Sequence, residues 1–374
     1  MVLKNNNISE KDLQYLRLSL RLAERSLGTT CPNPSVGCVI VKGDELISLG
    51  QTQKGGRPHA EQIALKMAGP RSKGATAYVS LEPCAHKGKT PSCAELIIKA
   101  DISRVVSTIE DPDLRVSGKG FQMLKDSGLN VNYGFLKKEA LEVNSGFFST
   151  IEKKRPLTIL KLATTIDGKL GMLSGNSKWI TSNYSRNYVH ILRSSMDAVL
   201  IGKNTLLRDD PNLTCRIRGL EHKSPIRVVL DTKLSLNTNF NIFKTAKKVP
   251  TWIITTNTSK SKKIFLLKKL QVKIIFAKKN SSGQVDIDDA LQKLAANGVT
   301  RLLIEGGAIV ASNFIKSNLV DKLYCFRAPR IIGSKGLSSF SSLSINSLSK
   351  TPYYKSTVSR NIHEDSFEIY EKEK

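Results

Sequence analysis

The chain has 374 residues, enough for two domains at about 150 residues each. With 40% apolar and 24% charged residues, 25 Gly and 13 Pro, its composition is that of an ordinary globular protein and excludes disorder and a collagen-like fibre. The formal charge of +26 is unevenly spread: residues 1–150 hold 20 Lys and Arg against 15 Asp and Glu, and residues 151–374 hold 38 against 17.

No run approaches the roughly 18 apolar residues of a membrane span, and residues 1–10 lack both a secretory apolar region and an Arg-rich transit pattern. A cytoplasmic protein with no membrane partner is therefore expected. Six cysteines, at positions 31, 38, 84, 93, 215 and 325, are too few for a disulfide scaffold, so a clustered pair points to metal or catalysis.

In chain order, residues 9–27 carry apolar residues at helical spacing behind a Ser cap. Val36–Val41 and Leu46–Gly50 flank a Lys-Gly-Asp turn as a β-hairpin. His59–Met67 reads as helix, Thr76–Leu81 as strand and Pro91–Ala100 as helix. Strands at Arg104–Thr108 and Asn130–Tyr133 alternate with helices at Lys119–Ser127 and Lys138–Phe148. This pattern predicts an α/β sandwich with helices on both faces of one sheet.

A charge cluster and a proline at residues 152–156 break the apolar pattern. The predicted domains are residues 1–152 and 153–374. The second half alternates again: strands at Leu157–Ala163, Ala198–Ile201, Arg227–Leu230, Thr251–Thr255, Val272–Phe276 and Arg301–Ile304, with helices near Asn183–Ser194, Ile287–Ala296 and Ala308–Ser317. Antiparallel strands at Lys322–Arg327, Lys355–Arg360 and Ser366–Tyr370 are expected to close a second α/β domain. Between Lys244 and Lys279 eleven lysines occur without one acid. Few aromatics lie there to stack bases, and Lys dominates over Arg, so a solvated protein face is favoured over a specific nucleic-acid surface.

Chemistry concentrates at two segments of the first domain. His59-Ala60-Glu61 opens a helix, and Cys84 and Cys93 flank the end of a strand and the start of the next helix. One imidazole and two thiolates make a three-ligand Zn²⁺ site, one ion per chain, with a fourth position left for water. A zinc ion there would bring that water's pKa to about 7. Glu61 would then act as the catalytic proton shuttle. His86 competes as a ligand on proximity alone; a place near a substrate phosphate or behind the ligands is expected instead.

Residues 31–134 resemble the zinc-dependent cytidine-deaminase superfamily. The eight residues between Cys84 and Cys93, with Pro32-Asn33-Pro34-Ser35-Val36-Gly37, resemble one branch: the pyrimidine deaminase domain of the bifunctional riboflavin-biosynthesis deaminase/reductase family. That spacing argues against a tRNA adenosine deaminase. One position departs from the family pattern, since Thr52 stands where a histidine is usual.

The second half resembles the same family's reductase domain, similar in fold to dihydrofolate reductase. The segments that carry this likeness are residues 160–169, 176–182, 206–216 and 305–308. The expected fold is thus α/β throughout, a cytidine-deaminase-like α/β/α sandwich followed by a dihydrofolate-reductase-like α/β domain. Glu305-Gly306-Gly307 ends a strand and opens a helix, where backbone N–H groups can approach a pyrophosphate. There is no G-x-G-x-x-G, so a Rossmann site is not indicated.

The resemblance makes Ala163, Trp179, Thr205, Asp209, Thr232, Gly307, Ala308, Ile309, Val310, Ala311, Ser312 and Asn313 candidate NADPH contacts. It makes Ser177, Arg193, Leu213, Arg216 and Glu305 candidate contacts to a pyrimidine ribosyl phosphate; the two arginines bring forks of donors suited to phosphate or ribosyl oxygens. Asp167 beside Gly168 is read as a turn-former. The resemblance implies hydrolytic deamination of a diaminopyrimidinone ribosyl phosphate at C2, then NADPH reduction of its ribosyl to a ribityl chain. A homo-oligomer is expected. A nucleic-acid-editing deaminase with a basic auxiliary domain and a zinc-stabilised binding protein are the competing readings.

Overall fold

The structure, a computed structural model, describes residues 8–86, 91–173, 180–259 and 261–373. Ser9 caps the first helix, α1 (Glu10–Ser26). Its hydroxyl accepts the Asp12 N–H at 3.1 Å while the Asp12 carboxylate accepts the Ser9 N–H at 2.8 Å, so two otherwise orphaned donors are satisfied. There follow β1 (Gly37–Lys42), β2 (Glu45–Gln51), α2 (Ala60–Ala68), β3 (Thr76–Val79), α3 (Cys93–Lys99), β4 (Arg104–Ser107), α4 (Lys119–Asp126), β5 (Asn130–Asn132), α5 (Lys137–Val143) and α6 (Ser145–Glu152).

Five strands form one sheet in the order β2-β1-β3-β4-β5. β1 is antiparallel to both neighbours, and β3, β4 and β5 are parallel. Strand period sorts the side chains. Cys38, Ile40, Ala77, Val79 and Val105 meet Ala60 and Ala64 of α2, Ala94 and Ile97 of α3 and Leu124 of α4 in one core. Val39, Val41, Tyr78 and Val106 meet Leu16 and Leu22 of α1 in another. Helices therefore cover both faces, as the alternation predicts.

The single helix expected over 138–148 is two. Asn144 interrupts it because its side-chain oxygen accepts the Ser35 N–H at 3.0 Å, a bond between residues far apart in sequence. Asp12 also reaches beyond its helix, accepting from Tyr78 Oη at 2.7 Å and from Arg104 at 2.8 and 3.2 Å. Burial alone would raise its pKa; the hydrogen bonds from Arg104, Tyr78 and Ser9 bring it down to about 2.

The chain divides into two units, residues 1–154 and 155–374. The second contains β6 (Leu157–Thr165), β7 (Lys169–Met172), α7 (Asn183–Ser194), β8 (Ala198–Gly202), α8 (Lys203–Asp209), β9 (Ile226–Leu230), α9 (Asn241–Lys244), β10 (Thr251–Thr255), α10 (Ser261–Lys269), β11 (Lys273–Phe276), α11 (Ile287–Ala296), β12 (Arg301–Ile304), α12 (Ala308–Lys316), β13 (Lys322–Ala328), β14 (Gly336–Ser338), β15 (Tyr354–Ile362) and β16 (Asp365–Lys372).

Nine of these strands form a sheet in the order β11-β10-β9-β8-β12-β6-β13-β16-β15, and β7 pairs separately with β14. From β11 to β13 every pairing is parallel. β13 is thus the junction: parallel to β6 on one side and antiparallel to β16 on the other. β8 and β12 are buried along their whole length, as strands covered on both faces must be. One face packs on α11 and α12 through Leu291, Leu294, Phe314 and Ile315, the other on α7 to α10 through Leu192, Leu206, Phe243 and Leu267.

The short α8, α9 and α10 gave no periodic signal of their own. α10 and the edge strand β11 carry much of the lysine-rich stretch, and Lys273 lies 4.5 Å from the Trp252 ring centroid. Asp167 is a local clasp, accepting from Thr165 Oγ1 at 2.5 Å and the Gly333 N–H at 2.7 Å. Among the described residues no helix is long and apolar enough to cross a membrane.

Candidate active sites

His59 is the N-cap of α2, its own N–H donating to Gln62 Oε1 at 3.0 Å. This places its imidazole at the mouth of the helix and Glu61 inside, where the carboxylate is 3% exposed. Cys84 follows β3, and Cys93 opens α3 beneath a Ser92 cap. The two meet because the first N–H groups of α3 fold onto Cys84: Cys93 N–H donates to Cys84 Sγ at 3.4 Å and Ala94 N–H to Cys84 O at 3.1 Å.

His59 Nδ1 lies 3.3 Å from Cys93 Sγ and 3.7 Å from Cys84 Sγ, and the three donor atoms all fall within 4.8 Å of one another. Tetrahedral zinc with ordinary bond lengths sets its nitrogen and sulfur ligands about 3.6 Å apart. The donor set therefore fits zinc. His86 is outside the cluster, and its buried Nδ1 has no hydrogen-bond partner among the described residues.

Burial pushes the Glu61 carboxyl above the usual carboxylate range, opposed by the nearby imidazole of His59. Cys84 is brought down to about 4 by the hydrogen bond from Cys93, against burial and with help from His59. A carboxyl with a raised pKa thus stands beside a thiolate and an imidazole.

Sequence reasoning missed what holds this site from behind. Glu82, two residues before Cys84, accepts from the N–H groups of Asp111, Gly118 and Gly120 at 3.0, 2.9 and 2.9 Å. It clamps the loop after β4 onto the Pro83-Cys84 turn. A Cβ on Gly120 would lie 1.9 Å from Pro83 O, so only glycine permits the approach. The signal available was a carboxylate two residues from a ligand, at the end of a buried strand. Thr52, which replaces a histidine of the family pattern, is buried, and its hydroxyl accepts the Val36 N–H at 3.0 Å.

In the second unit a cavity of about 660 Å³ opens beyond the ends of β8, β9 and β12, where open α/β sheets bind ligands. Thr205, Thr232, Gly307, Ala308, Ile309, Val310 and Asn313 line it, with the cations Lys203, Arg208 and Lys233. The Gly307 N–H donates to Thr205 Oγ1 at 3.0 Å. A Cβ on Gly306 would lie 2.9 Å from Val310 Cβ, so the helix start closes tightly on the strand ends.

Not every expected contact is in this cavity. A helix turns about 100° per residue, so seven consecutive residues cannot share one face. Ala311 is buried in the core, and Ser312 Oγ accepts the Ser341 N–H at 2.8 Å. Asp209 pairs with Arg208 at 3.0 Å outside the lining, and Ala163 packs on the core from β6. Ser177 and Trp179 lie outside the described residues.

The remaining substrate candidates converge. Arg193 of α7 grips Glu305 through Nε and Nη2 at 2.7 and 3.0 Å, and Lys161 Nζ of β6 is 3.4 Å from the same carboxylate. Burial alone would raise the Glu305 pKa; Arg193 and Lys161 bring it down to about 2. Arg193 Nη1 also donates to Thr214 O at 3.0 Å, which holds the loop carrying Leu213 and Arg216. Leu213 is buried at a left-handed φ of 54°. Lys161 and His190 were missed by sequence; His190 sits one turn before Arg193 on α7, the only cue available.

Two families match the chain: the RibD C-terminal domain over residues 156–365 and the cytidine and deoxycytidylate deaminase zinc-binding region over residues 9–109. The riboflavin biosynthesis protein RibD of Aquifex aeolicus is 40% identical over 96% of this chain and 98% of its own length. That of Escherichia coli is 34% identical over 95% and 98%. Among solved structures, Acinetobacter baumannii RibD superposes with a TM-score of 0.88 at 33% identity, over 98% of this chain and 99% of that one. A Thermotoga maritima diaminohydroxyphosphoribosylaminopyrimidine deaminase/5-amino-6-(5-phosphoribosylamino)uracil reductase does so with 0.85 at 32%, over 96% and 98%. With a zinc-fitting His-Cys-Cys cluster in one unit and a sheet-end cavity in the other, this chain belongs to the RibD family of riboflavin-biosynthesis proteins.

Proposed function

We propose that the chain is a bifunctional enzyme of riboflavin biosynthesis whose residues 1–152 deaminate 2,5-diamino-6-(5-phosphoribosylamino)pyrimidin-4-one and whose residues 153–374 reduce the resulting uracil with NADPH. The observation that carries this reading is the gathering of His59, Cys84 and Cys93 around one point with the buried Glu61 on the same helix.

His59, Cys84 and Cys93 would hold zinc, which when bound makes a water acidic enough to attack at neutral pH. Glu61 takes one proton of the attacking water and delivers it to the ring nitrogen as the C–O bond forms, then takes the remaining hydroxyl proton and delivers it to the amine, which leaves as ammonia when the C–N bond breaks. Burial raises the pKa of Glu61, which makes the carboxylate a better proton acceptor than an exposed one. Dense backbone donation to Glu82 keeps the Pro83-Cys84 turn rigid.

In the second unit the 660 Å³ cavity would hold NADPH, whose nicotinamide supplies hydride to the ribosyl C1′. The start of α12 at Gly307 and Ala308 lines the cavity and suits a pyrophosphate, and Lys203, Arg208 and Lys233 suit the additional phosphate of NADPH. Arg193, Arg216 and Glu305 orient the ribosyl phosphate, which is most of what the protein contributes to a hydride transfer. All six cysteines are free, which suits a reducing cytosol.

NADPH absorbance followed after mixing the zinc-loaded protein with the undeaminated diaminopyrimidinone substrate tests both sites in series, since reduction is expected only after deamination. Substrate-dependent loss of NADPH supports both halves. A flat trace that becomes active on adding the deaminated uracil locates the failure in the first.

A further inference from the structure

The loop between α8 and β9 is pinned to α7 at Thr214 O, which accepts from both Arg193 and His190. His190 is 8% exposed, with Nδ1 3.0 Å from Thr214 O. A carbonyl oxygen only accepts, so Nδ1 carries the ring proton and Nε2 keeps its lone pair. That lone pair faces Arg216, whose Nε and Nη2 lie 3.3 and 3.2 Å away. The neighbouring Arg193 is neutralised by Glu305; Arg216 is instead steadied by an uncharged acceptor, which leaves its full positive charge available to an anion.

We propose that His190 is a positioning residue of the reductase site: its neutral, Nδ1-protonated ring holds the Arg216 guanidinium in the orientation that receives the phosphate or ribosyl oxygens of the substrate. The proposal rests on the reading of Arg216 as a substrate contact.

The surroundings favour the neutral ring. Arg193 faces it from α7, Arg216 from the loop, and Glu305 from just after β12 with Lys161 behind. Burial and the two guanidiniums push the His190 pKa below its ordinary 6.5, against Thr214 O and Glu305. Protonation would turn Nε2 into a donor aimed at donors and break the contact. Orientation of Arg216 is therefore present above that depressed pKa and lost as pH falls through it.

The full-length protein with NADPH and 5-amino-6-(5-phosphoribosylamino)uracil provides the test. Gln at 190 can place a carbonyl oxygen near the Nε2 position, whereas Asn reaches only the Nδ1 position and keeps just the bond to Thr214. Arg216→Ala and His190→Asn should each raise the substrate KM about tenfold, the scale of a lost hydrogen bond to a charged group. NADPH affinity, read by fluorescence titration, should not move. His190→Gln should hold KM within about threefold of native and flatten the acid-side rise in KM expected of the native protein.

A native KM in His190→Asn together with a raised one in His190→Gln would assign the ring to loop-holding through Thr214 and overturn the proposal. Loss of NADPH affinity in both histidine variants would do the same by showing general damage to the fold. A native KM in Arg216→Ala would instead remove the premise, by taking Arg216 out of the substrate site.

Discussion

The two sites are built in opposite ways. In the first unit three donor atoms come from one helix mouth and one strand-to-helix turn, within 35 residues of chain counted from His59 to Cys93. In the second, Lys161 from within β6, Arg193 from α7 and Glu305 from just after β12 come together in one ion cluster, with Arg216 of the loop between α8 and β9 beside it through His190, because β12 ends level with Leu160 while β6 runs on. A metal site needs few ligands of fixed type, so it can be local. The second cluster draws on residues far apart in sequence, so it exists only once the sheet has formed.

The sharpest way to separate the sites is Glu61→Gln. Deamination should fall at least about 100-fold, the usual scale for a lost general acid–base group. Zinc content by elemental analysis and reduction of the pre-deaminated uracil should both be retained. Full deaminase activity in that variant would sink the shuttle assignment.

Next in size is Glu305→Gln, which leaves Arg193 and Lys161 facing a neutral group in a buried place. Unpairing a buried ion pair costs about 3 kcal/mol, read by denaturant unfolding of the second unit, with zinc binding and deamination unchanged. Its first-unit counterpart is Asp12→Asn, which breaks the charge-assisted bonds to Arg104 at a cost of about 2 kcal/mol.

These two carboxylates also share a pH signature. Each has a native pKa of about 2, below its ordinary value, so each contributes stability that is present above that ordinary value and lost as pH falls toward 2. Acid unfolding followed between about pH 5 and 2 should be shifted downward in native protein relative to either variant.

The smallest effect expected is that of Gly306→Ala. Its Cβ would crowd Val310 at 2.9 Å and shift the start of α12, weakening NADPH binding about tenfold in a fluorescence titration while costing about 1 kcal/mol of stability. An unchanged affinity would mean that the helix start does not contact the cofactor.

Much of the fold was legible because helical periods and short bounded apolar runs survive in a single sequence. The spans Asn183–Ser194, Thr251–Thr255, Ile287–Ala296 and Arg301–Ile304 coincide with their sequence readings. The failures have definite causes. The helix over 138–148 breaks because Asn144 bonds to Ser35, a partner that no local window contains. The helices α8 and α9 are seven and four residues long, too short for a period to register.

At the level of the site, the amino-acid sequence by itself determined which residue types the first unit gathers: His59, Cys84 and Cys93, with Glu61 two residues on, stand at a spacing that a helix mouth and a turn bring together. Only the tertiary structure decided the rest. It placed Glu82 behind the Pro83-Cys84 turn, turned Ala311 and Ser312 away from the cavity, and set His190 between Thr214 and Arg216. The physical reason is distance along the chain: hydrogen bonds and ion pairs between residues tens to over a hundred positions apart leave no local pattern, and they exist only once the sheet has set the strand ends side by side.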